Sequence, residues 1–269
     1  MVTTVQYYNG SHLTASNLQK TVDMQYAVSA QNSFAYIDNF QMPYSIIPIL
    51  TKTTLPNGVV SQTCLLHDSM QNGPCAGSYN SGGGPTFYDK NDTTTGTTYP
   101  FSYGSTVQKS EYDYGSGAAG ALLRQTNTQV QWQANGSYLT ANLLNLPASV
   151  AVLDGGAHQV AQTTFGYDEN NGSPQGIFGN QTSVTRWLNV GASPKTQTIY
   201  NTQGMPIKAI DPMGNTTQIT YDGTGMFPNQ IQYPTTANGV AHIEKFVYDA
   251  NIGKMTSHTN ENSQVSSFG

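Results

Sequence analysis

Imidazole is the commonest metal ligand and a common general base near neutral pH, so the histidines come first. There are five: His12, His67, His158, His242 and His258. No two have the four-residue spacing of a helical zinc pair, and there is no H-E-x-x-H. His67-Asp68 and the run from Asp154 to His158 each bring a carboxylate near an imidazole. No metal or other cofactor is assigned. A metal site would be built from His67, Asp68 and His158, and the competing reading is that these polar residues serve turn geometry. Gly115-Ser116-Gly117-Ala118-Ala119-Gly120 satisfies the dinucleotide pattern. The stretch before it is polar, and the stretch after it is barely one helical turn, so the context that the pattern needs is missing. There is no G-x-S-x-G elbow, and no catalytic residue is assigned.

Two further residue types carry chemistry of other kinds. Cys64 and Cys75 bracket a ten-residue loop. A disulfide across it would contribute roughly 2–3 kcal/mol by loop entropy, and two independent thiols is the alternative. Trp132 sits in Gln129-Val130-Gln131-Trp132-Gln133, where strand alternation puts the glutamines on one face and Val130 with Trp132 on the other. Trp187 follows Arg186. Each tryptophan reads either as core or as a ring on which sugars stack among amide donors.

The elements that must position these residues are strands. Charged residues are 9% of the 269, against about 25% in ordinary soluble domains. Seventeen tyrosines and twenty-seven glycines accompany abundant Thr, Asn, Gln and Ser. Thr and Tyr suit a pleated surface, while Gly and Asn suit turns. The net charge is −5 with no basic run, which argues against nucleic acid as a partner. The apolar run Ile46 to Leu50 is too short to span a bilayer and is broken by Pro48, so no membrane insertion is expected. No signal peptide is visible.

Tyr-Asp recurs at Tyr112-Asp113, Tyr167-Asp168, Tyr221-Asp222 and Tyr248-Asp249, with Tyr200-Asn201 a near-match. The unit from Tyr200 to Tyr221 is the clearest. Turn residues Tyr200 to Gly204 lead into Met205 to Ile210. Asp211-Pro212-Met213-Gly214-Asn215 then leads into Thr216 to Tyr221. In the last run Thr217, Ile219 and Tyr221 share one face, and Thr216, Gln218 and Thr220 the other. Each unit is a strand, a turn, a strand and a turn. One hairpin cannot bury its own face, so hairpins must stack into a continuous sheet.

Tyr-Asp-x-x-Gly followed by Asp-Pro-x-Gly-Asn-x-Thr resembles the YD repeat of the Rhs family. The match runs from about Gln162 to the end. Tyr248-Asp249 continues it with one extra residue before Gly253. Asn260-Glu261-Asn262-Ser263 occupies an Asp-x-x-Gly place in degenerate form. Upstream, Leu55 to Asp68 reads as a decayed unit with His67 in the tyrosine place. Tyr79 to Tyr99 reads as a long loop. The expected division is an N-terminal β-rich region over 1–106 with long loops, and a repeat sheet over 107–269. Because Ser267-Phe268-Gly269 parallels Phe165-Gly166 before Tyr167, another Tyr-Asp is expected next in a longer parent.

The resemblance implies an all-β fold of stacked antiparallel hairpins forming a coiled sheet, part of a β-shell or open barrel. It implies structural roles for the tyrosines and turn aspartates, and a secreted or cell-surface setting. The implied function is a non-catalytic scaffold segment of a shell that can enclose a polymorphic toxin, its partner being the rest of the parent protein. The alternatives are a carbohydrate-binding module, with glycans as partner, and a metal-dependent hydrolase with a promiscuous pocket. Open sheet edges imply self-association. Only the first four residues of the family's self-cleavage motif are matched, at Asp211 to Gly214, so that activity is not carried over.

Overall fold

The computed structural model describes residues 2–28, 31–33, 41–43, 46–68, 86–88, 98–100, 103–169 and 172–269. The chain is all-β, and its principal feature is a 16-stranded antiparallel sheet whose strand order follows the chain. Two compact units divide it, Met1–Gln162 and Thr163–Gly269. The second begins where the repeat pattern becomes clear in the sequence.

In the first unit the sheet contains β1 (Thr4–Tyr8), β2 (Leu18–Val28), β5 (Ile46–Thr54), β6 (Val59–His67), β9 (Thr106–Ser116), β10 (Leu122–Val130) and β11 (Pro147–Asp154), and β12 (Gln159–Tyr167) begins there. Two small separate hairpins interrupt the series: β3 (Gln31–Ser33) with β4 (Gln41–Pro43), and β7 (Thr86–Tyr88) with β8 (Thr98–Pro100). The stretch read as a long loop over Tyr79 to Tyr99 therefore contains a hairpin. Strand alternation also fails at Gln131. There the Gln131 N–H donates to the Leu146 carbonyl and closes the β10–β11 pairing. Gln131–Ala134 is a single helical turn, α1, followed by α2 (Gly136–Thr140). Asn135 caps α2 by accepting from the Ser137 N–H at 3.0 Å. The core of this unit comprises Val60, Cys64, Leu66, Val107, Val130, Trp132, Tyr138 and Ala148, with Ile47 at its margin.

The second unit continues β12 into β13 (Gln181–Arg186), β14 (Lys195–Tyr200), β15 (Pro206–Ile210), β16 (Thr216–Tyr221), β17 (Pro228–Gln232), β18 (Ile243–Asp249), β19 (Lys254–Thr259) and β20 (Val265–Ser267). Alternation on β16 holds from Thr217 onwards: Thr217, Ile219 and Tyr221 are half-buried and Gln218 and Thr220 exposed, while Thr216 at the start of the strand is half-buried as well. Cross-strand pairs such as Ile219↔Ile231 cover one another on that face. Yet among the described residues no apolar side chain beyond Tyr167 is fully buried. The unit is a single layer of sheet, held by its backbone ladder, its cross-strand pairs and its corners.

Candidate functional site: a row of latched hairpin corners

Two features recur at the corners of the hairpins. The first is a three-residue hairpin loop. At Asp211 the backbone N–H donates to the Asn215 carbonyl and the Gly214 N–H donates back to the Asp211 carbonyl, both at 3.0 Å. Gly214 has φ 86° and nothing within 4 Å of where a Cβ would stand. This is a type I turn followed by a left-handed residue, a geometry whose twist matches that of the flanking strands. The Asp211 Oδ1 also accepts from the Met213 and Asn215 N–H groups, at 2.8 and 2.9 Å. The same backbone pattern recurs at Leu55 to Val59, Asp154 to His158, Asn201 to Met205, Thr236 to Val240 and Asn260 to Gln264. Ser263, in the degenerate segment, holds φ 61°. The turn outlives its glycine there.

The second feature is a bulge. Pairing shifts by one residue at Tyr167, Tyr200, Tyr221 and Tyr248, always at the tyrosine of the repeat. It also shifts at Tyr8, Tyr26, His67 and Val130, and across from Tyr112. The next residue resumes the backbone pairing, as where the Asp222 N–H donates to the Phe227 carbonyl at 2.9 Å. An extra residue on the following strand twists the ladder and re-aims the ring.

The re-aimed rings act as latches. The Tyr200 hydroxyl donates to the Gln181 carbonyl at 3.0 Å, and the Tyr221 hydroxyl to the Pro206 carbonyl at 2.9 Å. Gln181 is the residue paired with Tyr167, and Pro206 the residue paired with Tyr200. Each corner thus grips the backbone of the corner before it. In the first unit the Tyr26 hydroxyl donates to the Val2 carbonyl at 2.9 Å. His67 then makes the same contact, its Nε2 lying 2.9 Å from the carbonyl of Pro48, which is paired with Tyr26. His67 occupies the tyrosine place in space, as its sequence context indicates. Tyr248 departs from the pattern: its ring stacks on Phe227, with centroids 4.9 Å apart and planes 18° apart. Burial pushes Tyr200 and Tyr221 above the usual phenol range, with the Asp168 carboxylate adding to the effect at Tyr200.

The acids of the repeat bind backbone amides. Asp168, itself at φ 52°, accepts from the N–H groups of Phe178, Gly179 and Asn180 at 2.8–3.0 Å. That closes the longer connection between β12 and β13. Beside it Glu169 accepts from the hydroxyls of Thr182 and Ser183, both buried, and pairs with Lys195 at 3.3 Å. Gly166 has no side chain because a Cβ there would strike both Glu169 and Ser183. Burial acts to raise the Glu169 carboxyl, but the two hydroxyls and Lys195 outweigh it and hold it below its ordinary value. Asp249 accepts from the Asn251 N–H at 2.8 Å, and the extra residue makes the Gly253 N–H return to the Asp249 carbonyl.

The remaining sequence candidates are scattered. The His67 ring also approaches the Gly104 carbonyl, at 3.2 Å. Asp68 is fully buried and accepts from the Tyr103 and Ser105 N–H groups at 2.8 and 2.7 Å. His158 is exposed and sits 3.2 Å from the Asp154 carboxylate within its own turn. Among the described residues no three His, Cys, Asp or Glu side chains converge to hold a metal ion. The segment Gly115 to Gly120 runs from the last two residues of β9 into the β9–β10 connection, and a Cβ on Gly115 or Gly120 would meet backbone carbonyls. Trp132 is 7% exposed and packs edge-on against Tyr103, centroids 5.3 Å apart. Trp187 is half-buried just after β13. Cys64 is buried and disulfide-bonded; Cys75 lies outside the described residues. An open pocket of about 250 Å³ is lined by Thr196, Thr198, Ala209, Asp211, Thr217 and Pro234, among others. Both Asp211 oxygens in it are engaged by the turn, Oδ2 by the Asn215 side chain.

Three corners escaped the sequence reading. Tyr8-Asn9-Gly10 carries a signal, since Asn can replace Asp in such turns. Tyr26-Ala27 and Val130-Gln131 carry none, because neither has a turn residue after the corner.

No protein-family model matches the chain, and no curated protein matches it. Similar solved structures include TcdB2-TccC3 complexes and a Tc holotoxin pore. The crystal structure of TcdB2-TccC3-Cdc42 is 11% identical at a TM-score of 0.35, over 90% of this chain and 10% of that one. TcdB2-TccC3 without its hypervariable C-terminal region is 13% identical at 0.35, over 92% and 10%. The Photorhabdus luminescens Tc holotoxin pore is 12% identical at 0.34, over 92% and 10%. The chain spans about a tenth of the length of these structures.

Proposed function

We propose that the chain is a non-catalytic wall segment of a secreted or surface YD-repeat shell, its partner being the rest of that shell. The observation that carries this reading is the succession of latches. The Tyr200 and Tyr221 hydroxyls donate to the neighbouring hairpin, and the aspartates of the repeat accept from the amides of their own turns. A single layer whose strand residues are mostly only half-buried gains from further structure against it, because sheets of this kind bury a face only against further structure. In the same reading Cys64 bonds to Cys75, the other of the two cysteines, which suits an oxidising compartment.

The test is light scattering on the purified chain across a range of concentrations, with circular dichroism alongside. A β spectrum with concentration-dependent self-association is expected, since unpaired edge strands are pairing templates. A strict monomer that binds an oligosaccharide saturably, and loses that binding in Trp187→Ala, would replace the wall reading with the carbohydrate-binding one.

A further inference from the structure

We infer that Asn9 is a self-modification site, at which the Gly10 backbone nitrogen attacks the Asn9 side-chain amide and converts it to aspartate and isoaspartate. A bond forms between the Gly10 nitrogen and Asn9 Cγ, and the Gly10 amide proton departs with the side-chain nitrogen as ammonia. Water then opens the cyclic imide at either of its carbonyls. A glycine after the asparagine favours the reaction, because it has no Cβ to obstruct the fold of backbone onto side chain. Among the described residues Asn-Gly occurs at Asn9, Asn57, Asn135 and Asn238. The dipeptide alone therefore does not choose between them.

Hydrogen bonding distinguishes them. The Gly58 N–H donates to the Leu55 carbonyl at 2.9 Å and the Gly239 N–H to the Thr236 carbonyl at 2.8 Å, so each nitrogen must leave its turn before it attacks. The Asn57 Oδ1 also accepts from the Val59 N–H at 3.2 Å, and the Asn135 Oδ1 is held by the Ser137 N–H at 3.0 Å as the cap of α2. Asn9 and Gly10 are exposed, and among the described residues neither the Asn9 side chain nor the Gly10 N–H has a hydrogen-bond partner. Gly10 holds φ 86° with nothing within 4 Å of where a Cβ would stand, so the attack displaces no neighbour there. The reaction alters a corner of the sheet. The Asn9 N–H donates to the Asn17 carbonyl at 2.8 Å, next to the shift in β1–β2 pairing at Tyr8. The aspartate product makes this a Tyr-Asp corner, as at Tyr221-Asp222. The isoaspartate product inserts an extra carbon into the backbone directly after that bond.

The experiment ages the full chain in neutral buffer, once native and once in denaturant, and follows each asparagine by peptide mass spectrometry. Each native rate is divided by the rate of the same asparagine in the denatured chain, which removes the influence of neighbouring residue types. The ratio at Asn9 is expected to exceed those at Asn57, Asn135 and Asn238 by about fivefold, the factor for breaking one net hydrogen bond. An equal or higher ratio at any of the other three would overturn the inference. So would a native Asn9 that stays an amide while the denatured one converts. Asn9→Gln lengthens the side chain and disfavours the five-membered ring, so the more acidic species that the aged native chain forms on ion exchange is expected to disappear. Its persistence in that variant would place the conversion at another residue and overturn the assignment.

Discussion

At Tyr221 a single phenol oxygen, 2.9 Å from the Pro206 carbonyl, joins two successive hairpins. Tyr221→Phe keeps the ring and removes the donor, so the expected loss is about 1 kcal/mol in chemical denaturation. An unchanged midpoint would mean that ring packing alone holds the corner. Glycine conformation gives a second residue-scale expectation. Gly214 has open space around it, so Gly214→Ala meets no clash and exposes only the cost of the left-handed backbone, about 1 kcal/mol of destabilisation. Ser263 already bears that strain at φ 61°, and Ser263→Gly should recover a similar amount. If both substitutions proved neutral, the turn geometry assigned at these two positions would be wrong.

At the scale of the hairpin, the turns are set by carboxylates that accept several donors at once. Asp211 is held below the usual carboxylate range by the Asn215 side chain and by backbone N–H groups, Asp222 by the Thr224 hydroxyl and by backbone groups, and Asp154 by the His158 backbone N–H first. Folded values below the unfolded one mean a contribution fully present above about pH 4 and lost as pH falls through the folded values. The latching tyrosines have the opposite sign. Their raised values mean a contribution present below about pH 10 and lost as pH rises beyond it. Denaturation midpoints measured from pH 2 to pH 11 should therefore fall at both ends. Asp211→Asn should flatten the acid limb, because an amide oxygen still accepts and does not titrate there. An acid limb unchanged by that substitution would place the titration elsewhere.

The whole molecule combines a first unit with a buried core and a second unit that is a single sheet layer. The second unit's stability depends on neighbours along the sheet, as in other stacked repeats. Val265 on β20 is 64% exposed on a terminal strand of the sheet. Val265→Lys puts a charge on that edge and should shift self-association towards monomer in light scattering, as edge lysines do in natural sheets. Association unaffected by the charge would show that the contact uses another surface.

The sequence alone determined the strands, the turn chemistry and the repeat from Tyr167 onwards, because period-two alternation and Asp, Asn and Gly at turns are local signals. His67 in the tyrosine place was legible for the same reason, from its spacing after a turn. Only the tertiary structure decided what the rings do. The acceptor of each latch is a backbone carbonyl on the neighbouring strand, a group that every residue carries and no sequence pattern marks. It likewise decided that Gln131–Ala134 turns into a helix, since the β10–β11 pairing closes at Gln131 and frees the chain from the sheet. Corners at Tyr26 and Val130 lacked turn residues and became visible only through the one-residue shift in the ladder.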